Sequence, residues 1–541
     1  MGKVLVDGHE IEISDGERLN GIEVARRAGI KIPHYCWHPG LSVVASCRIC
    51  LVETGRRNPK TGAIEMLPKL VPACQTPATD GTVFVTNSEK VVRARAMVEE
   101  DLLLRHPIDC PICDKAGECK LQDYYQDYGQ AERRADIKPF TSRRRSLGNT
   151  VTLFVDRCIM CSRCVRFCRE VTGTGELMIA HRGTHEEIDV FPGYPLDNPL
   201  AGNVVDLCPV GALCDKDFLY RQRVWFLASH PHVCTGCSTG CSILVEENQD
   251  RVYRLKPRKN PRVNRWWMCD EGRYGWKHAF DERRCLQPRF RKDGVGTAVE
   301  WTEVIVELDR AVRAAKRLAI VLSPHLTVEE AYLLATYARQ VNSDATLALG
   351  PVPQRGEDRA FDEGRFVIRR EKCPNRRGVE HLLTHFSGRV LDWEDVLRRT
   401  RAVDAPDAVW IAGGYCTEWN DAQVAGQFAG VRLLVVQDLF SSPMMERADW
   451  QLPATASFER AGSFVNGADR LQSFSWAVRP PLGVMPEGPL VWRLLERSGL
   501  YDPGQVLREM ASAVSCFAAA AQPVPDEGVD LSNPSREVGT R

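Results

Sequence analysis

Apolar residues recur at every second position in two short runs near the start of the chain, Val4 and Val6, then Ile11 and Ile13. Asp7-Gly8 lies between the two runs and favours a tight turn, so the pattern predicts a β-hairpin. A secretory signal needs a charged stretch followed by an apolar core, and this opening lacks that pattern. We therefore expect no signal peptide here.

A helix is predicted over residues 21–28 and a strand over residues 82–86. The next helix is predicted to begin with Ser88 as its N-cap. Pro107 disfavours helical geometry for the residue before it, so this helix is predicted to end at His106. Apolar positions with helical spacing support it, namely Val91, Val92, Met97, Leu102 and Leu103.

The second half of the chain alternates short apolar runs with helical patterns, which is typical of α/β architecture. The pattern predicts strands at 318–322, 408–411 and 433–436, and a helix at 328–338. Gly413-Gly414 follows a predicted strand, where a tight turn is favoured over a phosphate-binding loop. The segment 522–541 is rich in Pro, Glu, Asp and Ser and is predicted to be disordered.

Length and charge narrow the possible functions. The 541 residues are enough for several domains, and the 71 acidic residues balance the 71 basic ones. Because the chain carries no strong net charge, we do not expect nucleic acid as a partner. The longest nearly apolar run, 510–521, is too short to span a bilayer. We expect a cytoplasmic protein whose contact with a membrane comes through partner subunits.

The 21 cysteines change the picture most. Most of them lie before residue 270 at spacings typical of metal ligands, and no export pattern supports disulfides, so we expect a reducing compartment and soft-metal sites. Four cysteines are scattered beyond that point: Cys285, Cys373, Cys416 and Cys516.

The first set is Cys36, Cys47, Cys50 and Cys74, spaced C-x10-C-x2-C-x23-C within a loop of small and polar residues. Such a loop lets backbone N–H groups approach sulfide and thiolate. The layout resembles the 2Fe–2S ferredoxin fold, a β-grasp, in the variant found in respiratory complex I. A zinc site is the alternative, although zinc ligands usually come as two compact CxxC pairs.

The second set is His106, Cys110, Cys113 and Cys119. A histidine at a helix end is more often an ordinary capping residue, but the three adjoining cysteines favour a ligand. The segment resembles the 4Fe–4S motif of one histidine and three cysteines in the G-subunit family of complex I. Neutral imidazole in place of a thiolate should raise the reduction potential of the cluster.

The third set is Cys158, Cys161 and Cys164 with the distant Cys208, the arrangement of a bacterial ferredoxin cubane. A second cubane would need ligands that the chain lacks. The segment therefore resembles a ferredoxin that has lost one of its two clusters, and Cys168 and Cys214 are interpreted as structural thiols.

The fourth set is Cys234, Cys237, Cys241 and Cys269, spaced like the 4Fe–4S domain that opens the molybdopterin oxidoreductases. Catalytic formate dehydrogenases of that family usually carry a lysine at the position of Glu271, between cluster and pterin. The acidic Glu271 indicates that the cluster of the fourth set lies off the main electron path.

A later segment, 448–472, also resembles the molybdopterin oxidoreductases, through Glu459, Gly462, Asn466 and Arg470. The region after the fourth set is too short for the full pterin cradle, so we expect no molybdopterin. The basic runs at 143–145 and 254–265 are interpreted as solvated faces, with subunit docking as the alternative.

Together these motifs resemble the G-subunit family of bacterial NADH:quinone oxidoreductase, respiratory complex I, whose members are its 75-kDa-type iron–sulfur subunits. The resemblance implies an electron relay, without its own substrate site, that carries electrons from the flavin subunit toward quinone in a complex that translocates ions. It implies one 2Fe–2S and three 4Fe–4S clusters, with the NADH-binding flavin subunit and other peripheral-arm subunits as partners on the cytoplasmic side of the membrane. The alternatives are a molybdenum-dependent, NAD-linked formate dehydrogenase subunit and a structural zinc protein.

The resemblance also implies a multidomain α+β and α/β fold. The expected domains are a 2Fe–2S β-grasp domain (1–80), a histidine-ligated 4Fe–4S domain (81–140), a single-cluster ferredoxin-like domain (141–225), a 4Fe–4S domain of the molybdopterin oxidoreductase type (226–283), a degenerate molybdopterin-oxidoreductase-like domain (284–521) and the disordered tail (522–541).

Overall fold

The computed structural model describes residues 2–132, 134–183, 185–292 and 294–532. The chain forms two compact units, and the boundary between them falls between Leu227 and Ala228. This division lies close to the domain boundary expected after residue 225. The drop in cysteine content near residue 270 falls inside the second unit and marks no structural boundary.

The first unit opens with β1 (Gly2–Val6), β2 (His9–Ile13), β3 (Leu19–Asn20), α1 (Gly21–Arg27), β4 (Leu51–Arg57), β5 (Ile64–Met66), β6 (Val71–Pro72), β7 (Pro77–Ala78) and β8 (Thr82–Val85). Five of these strands form a mixed sheet in the order β2-β1-β8-β4-β5, in which β6 also pairs with β4, while β3 and β7 form a separate ribbon. Val6 pairs with His9 across a turn in which Asp7 and Gly8 both have positive φ, 47° and 86°. This geometry confirms the predicted hairpin.

The helix α2 (Glu89–Arg105) has the predicted ends. The Ser88 hydroxyl accepts the backbone N–H of Val91, and His106 is the C-cap in an extended conformation. The signals at Ser88 and Pro107 therefore place His106 just outside the helix, where its side chain is free to point toward the cysteines that follow.

The remaining elements of the first unit are short. They are α3 (Lys120–Tyr128), β9 (Arg144–Ser146), β10 (Val151–Phe154), α4 (Arg163–Glu170), β11 (Leu177–Ala180), β12 (Glu187–Val190), α5 (Asn203–Leu207) and β13 (Leu213–Asp215). A three-stranded sheet has the order β13-β10-β9, and β11 pairs with β12. Short 3-10 turns lie at Cys110–Ile112, Val155–Arg157 and Val224–Phe226.

The second unit begins with an antiparallel sheet of three strands followed by a short helix. These elements are β14 (Ala228–Val233), β15 (Ser242–Asn248), β16 (Arg251–Pro257) and α6 (Asp270–Tyr274). The loop between β14 and β15 and the start of α6 hold the fourth cysteine set.

A larger α/β body follows. Its elements are β17 (Arg289–Lys292), β18 (Val295–Ala298), α7 (Trp301–Arg313), β19 (Leu318–Leu322), α8 (Val328–Val341), β20 (Thr346–Leu349), β21 (Arg359–Phe361), β22 (Phe366–Ile368), α9 (Arg376–Ser387), α10 (Trp393–Thr400), β23 (Ala408–Ala412), α11 (Ala422–Gly426), β24 (Leu433–Asp438), α12 (Pro443–Arg447), β25 (Trp450–Pro453), β26 (Gly462–Val465), β27 (Arg470–Phe474), α13 (Glu487–Leu494), α14 (Pro503–Ala513) and β28 (Val529–Asp530).

Seven strands of this body form one sheet in the order β18-β17-β25-β24-β23-β19-β20. The five strands from β25 to β20 are parallel, and their central members are entirely buried, as expected for a sheet covered by helices on both faces. The predicted strands and the predicted helix are confirmed, although α8 extends three residues beyond its expected end.

The predicted disorder of the C-terminal tail is wrong for the part that the structure describes. Val529 and Asp530 form β28, which pairs with β27 through Leu471 and Arg470. Backbone pairing and the burial of Leu531 hold a segment whose composition alone favours disorder. The rest of that prediction, residues 533–541, lies outside the described residues.

The turn after β23 is held by a carboxylate. The backbone N–H groups of Gly414 and Tyr415 both donate to Oδ1 of Asp438, at 3.0 and 2.8 Å. A phosphate would need those same N–H groups, so the geometry agrees with the tight-turn interpretation.

The two basic runs form ion pairs within the chain. Arg143 pairs with Asp156 at 2.9 Å, and Arg265 pairs with Asp362 at 2.5 Å. The interpretation of these runs as solvated faces is therefore incomplete, because nearby carboxylates already offset part of their charge. Among the described residues, no helix is both long enough and apolar enough to cross a membrane.

Candidate metal centres

The first cysteine set comes together from two loops, the one between α1 and β4 and the one between β6 and β7. Cys36 follows α1, Cys47 and Cys50 precede β4, and Cys74 follows β6. The backbone N–H of Cys36 donates to Sγ of Cys47 at 3.5 Å. Hydrogen bonds from the thiols of Cys47 and Cys74 lower the pKa of Cys36, and a hydrogen bond from Cys74 lowers the pKa of Cys50. The four sulfur atoms are therefore neighbours.

The second set lines one cavity. Its volume is about 430 Å³, and His106, Cys110, Cys113 and Cys119 all face it. Gly211 lies on the same wall, where a Cβ atom would be 2.1 Å from Sγ of Cys113. Only glycine allows the backbone to come so close to this sulfur atom.

The protonation of the second set suits metal binding by the imidazole. Burial, assisted by the charge of Arg157, lowers the pKa of His106 to about 4, so the ring is neutral at pH 7. Burial raises the pKa of Cys113 and raises that of Cys119 to about 11. A bound metal must offset this cost by stabilising the thiolates.

The third set surrounds a much narrower space of about 20 Å³, lined by Cys158, Cys161, Cys164 and Cys208. The backbone N–H of Met160 donates to Sγ of Cys158 at 3.4 Å. Burial raises the pKa of Cys158 and of Cys161, to about 11 for Cys161. The spacing predicted this set, and the structure brings its members together.

Cys168 and Cys214 are not part of that lining. Burial raises the pKa of the Cys168 thiol, and the nearby Glu176 carboxylate raises it further. The Cys214 thiol lies 3.6 Å from the carbonyl oxygen of Gly211. Both positions agree with the interpretation of these cysteines as structural thiols.

The fourth set lies between β14 and β15 and at the start of α6. All four side chains, those of Cys234, Cys237, Cys241 and Cys269, are buried. The N–H of Gly272 donates to Sγ of Cys269 at 3.3 Å, and a Cβ at Gly272 would lie 2.9 Å from Sγ of Cys234. Burial raises the pKa of Cys234 to about 12.

The loop that carries Cys237 and Cys241 is held by residues from far along the chain. The Asn466 side chain donates to the carbonyl of Thr239 at 3.0 Å, and the Gln472 side chain donates to the carbonyl of Gly240 at 2.8 Å. The N–H of Ser238 donates to the carbonyl of Glu371 at 2.9 Å. Part of the 448–472 motif therefore supports the cysteine loop.

The other members of that motif also make structural contacts. Glu459 forms a buried ion pair with Arg284, 2.8 Å between Nη2 and Oε2. Arg470 donates to the carbonyl oxygen of Gly528 at 2.8 Å. Gly462 packs against Thr327, where a Cβ would lie 2.7 Å from the methyl carbon. Each of these three motif residues therefore has a structural contact within the chain.

Glu271 is paired with two cations. Its carboxylate lies 2.9 Å from Arg355 and 2.8 Å from Lys372. The sequence indicated an acidic residue where catalytic relatives carry lysine, but it did not reveal that Lys372 supplies an ammonium group at this place. No local pattern connects residues a hundred positions apart, so only the fold could reveal the pair.

All 21 cysteines lie in the described part of the chain, and none forms a disulfide. Within the same residues, no three His, Cys, Asp or Glu side chains surround a point where a single metal ion could bind. Gly211 and the buried arginines near the cysteine sets, Arg157, Arg163 and Arg166, are further residues that sequence reasoning missed.

Each cysteine set falls within a region that matches a sequence model of a protein family. Residues 3–89 match the 2Fe-2S iron-sulfur cluster binding domain, and residues 95–134 match the NADH-ubiquinone oxidoreductase-G iron-sulfur binding region. Residues 148–214 match the ferredoxin-like domain of NADH-quinone oxidoreductase subunit 3. Residues 228–280 match the molybdopterin oxidoreductase Fe4S4 domain, and residues 394–484 match molybdopterin oxidoreductase. These matches indicate binding of 2Fe–2S and 4Fe–4S clusters.

Curated relatives have similar sequences. The G subunit of NADH-quinone oxidoreductase from Rickettsia felis is 33% identical over 64% of this chain and 50% of its own length. The G 2 subunit of the same enzyme from Rhizobium meliloti is 36% identical over 64% of this chain and 40% of its own length. The NADH-ubiquinone oxidoreductase 75 kDa subunit of Reclinomonas americana is 32% identical over 67% of this chain and 51% of its own length. The chain thus spans about half the length of the curated relatives it matches.

Proposed function

We propose that the chain belongs to the G-subunit family of NADH-quinone oxidoreductase and is the iron–sulfur electron-transfer subunit of such a complex. It relays electrons from the flavin subunit toward quinone, and the complex couples this transfer to ion translocation. The chain acts as a component of the enzyme and has no substrate site of its own. The observation that carries the proposal is the second set, in which His106 and three cysteines share one cavity inside the matched oxidoreductase-G region.

The four sets of side chains are suited to iron–sulfur clusters. Thiols and one neutral imidazole converge from loops, and glycines stand where a Cβ would collide with a ligand sulfur. When bound, such clusters accept and release single electrons. We assign a 2Fe–2S cluster to the first set and 4Fe–4S clusters to the other three. The proposed ligands are Cys36, Cys47, Cys50 and Cys74; His106, Cys110, Cys113 and Cys119; Cys158, Cys161, Cys164 and Cys208; and Cys234, Cys237, Cys241 and Cys269.

The proposed domains follow these sets. A β-grasp 2Fe–2S domain covers residues 1–80, the histidine-ligated segment 81–140, and the single-cluster ferredoxin-like domain 141–225. A 4Fe–4S domain of the molybdopterin oxidoreductase type covers 226–283, and a degenerate molybdopterin-oxidoreductase-like body begins at 284. That body includes β28, because this strand completes the sheet of β26 and β27.

We place the chain in the peripheral arm of the complex, on the cytoplasmic side of the membrane. Its expected partners are the NADH-binding flavin subunit and other peripheral-arm subunits, with the membrane arm reached only through them. The names of the relatives, which are subunits of NADH-quinone and NADH-ubiquinone oxidoreductases, support membership in such a complex.

A second candidate is the catalytic subunit of a molybdenum-dependent, NAD-linked formate dehydrogenase. The match of residues 394–484 to molybdopterin oxidoreductase is the observation that favours it. Against it, the 448–472 motif is engaged in structural contacts, and Glu271 with its two cations borders the fourth set.

Metal analysis of the purified full-length chain tests the assignment. We expect about fourteen iron atoms per chain, an equal number of acid-labile sulfide ions, and no molybdenum. Cys164→Ser should lose about four iron atoms, whereas Cys168→Ser, one helical turn away on α4, should lose none. Stoichiometric molybdenum would support the second candidate instead, and zinc in place of iron would contradict both.

A further inference from the structure

Two buried arginines on α4 lie between the first and third cysteine sets. Arg163 is 4% exposed and Arg166 is 6% exposed. The helix carries Cys164 of the third set, so both guanidinium groups are fixed relative to that set. Burying a cation is costly unless it has partners, which makes the contacts of these two groups informative.

Arg166 connects the backbones of two proposed ligands. Its Nη2 donates to the carbonyl oxygen of Cys36, in the first set, and at 3.3 Å to the carbonyl oxygen of Cys161, in the third set. Its Nη1 donates to the carbonyl oxygen of Ser42, and its Nε lies 3.3 Å from the hydroxyl of Ser162. One planar guanidinium thus contacts both sets at once.

Arg163 also contacts the backbone near both sets, at residues that are next to the proposed ligands in the sequence. Its Nη2 donates to the carbonyl oxygen of Trp37 at 2.5 Å, and its Nη1 donates to the carbonyl oxygen of Leu207 at 3.1 Å. Trp37 follows Cys36, and Leu207 precedes Cys208. Both arginines therefore tie the loop of the first set to the body of the third.

Neither of these arginines is paired directly with a carboxylate among the described residues. In the part of the chain that the structure describes, the hydrogen bonds of both guanidinium groups end on carbonyl or hydroxyl oxygens, and neither group forms an ion pair. A buried cation stabilises a neighbouring group that carries a more negative charge.

We propose that Arg163 and Arg166 are positioning residues that hold the first and third cysteine sets together, and that their buried charge favours the reduced, more negative state of both clusters. This inference rests on the proposed function, because it requires clusters at both sets. It gives the two arginines a direct influence on how readily electrons occupy neighbouring positions of the relay.

A redox titration followed by electron paramagnetic resonance tests the proposal in the full-length chain. In Arg166→Gln, the reduction equilibria of the first and the third cluster should both shift about tenfold toward the oxidised form. For a one-electron couple, a tenfold shift lowers the reduction potential by about 59 mV. The second and fourth clusters should keep their potentials. Arg166→Lys keeps the charge and should shift both equilibria by less than about threefold.

The matched control is Arg169→Gln, on the same helix but exposed, which should leave every potential unchanged. If both clusters are present in Arg166→Gln and keep their potentials, the proposal is wrong. If Arg163→Gln and Arg166→Gln lose a cluster that Arg163→Lys and Arg166→Lys retain, the charge is needed as proposed. Loss from the lysine variants as well would overturn the role of charge. A wild-type chain without clusters at these sets would instead contradict the proposed function.

Discussion

A single added carbon atom at Gly211 should empty the second site. A Cβ at this position would lie 2.1 Å from Sγ of Cys113 and 3.2 Å from Cβ of Lys115. Carbon and sulfur atoms that are not bonded stay more than about 3 Å apart, so the two atoms would overlap severely. The φ angle of Gly211 is not in the left-handed region, and the effect of Gly211→Ala therefore comes from this contact alone.

The size of the Gly211→Ala effect follows from the free-energy cost of overpacking a filled site, about 1–3 kcal/mol. The contact is relieved if Cys113 moves away from the other ligands of its set. Such a cost reduces the population of the correct ligand geometry by about fivefold to about a hundredfold. We expect Gly211→Ala to lower the iron content from about fourteen to about ten atoms per chain, with the loss confined to the histidine-ligated cluster.

The assay is iron analysis combined with electron paramagnetic resonance of the dithionite-reduced chain. Gly430→Ala is the matched control, because a Cβ there would meet no atom within 4 Å. This control should keep all signals and all iron. A Gly211→Ala chain with a full iron content and an unchanged spectrum would refute the close approach of Gly211 to Cys113 as a requirement of the site.

Three further predictions concern other side chains. His106→Cys should keep its cluster but lower the reduction potential, since a thiolate adds negative charge; an unchanged redox titration would contradict ligation by His106. Burial raises the pKa of Glu99 to about 7, above its usual value of 4.5, so the folded chain holds a proton that the unfolded chain releases between these pH values. Glu99 should therefore contribute a fall of about 3 kcal/mol in the free energy of unfolding as the pH rises from 4.5 to 7, and this contribution should appear as the difference between the urea denaturation of the wild type and of Glu99→Gln over that range. Glu459→Gln leaves the Arg284 cation buried without its partner and should destabilise the second unit by about 3–5 kcal/mol in urea denaturation, whereas replacing both residues with methionine should recover most of the loss.

The sequence predicted features that depend on neighbouring residues. Asp7-Gly8 specified the turn of the opening hairpin, and Ser88 and Pro107 specified both ends of α2. Cysteine spacing predicted the four sets because ligands of one site often lie two or three residues apart. The short apolar runs predicted the strands β19, β23 and β24 of the second unit.

Features that depend on distant contacts could not be predicted in this way. Arg166 and Cys36 are 130 residues apart, and Asn466 and Thr239 are 227 apart. The tail composition favoured disorder, yet pairing with β27 orders Val529 and Asp530. Such contacts arise only when the fold brings separate segments together, and no local pattern records them.

The central claim, that this chain relays electrons, is tested most directly by rapid freezing of the intact complex after mixing with NADH. Electron paramagnetic resonance should reveal the 2Fe–2S signal of the first set and 4Fe–4S signals within one turnover, and added quinone should reoxidise them at the rate of NADH oxidation. If quinone is reduced at full rate while these signals stay absent, or if they appear only with dithionite, the electrons take another path and the claim is wrong.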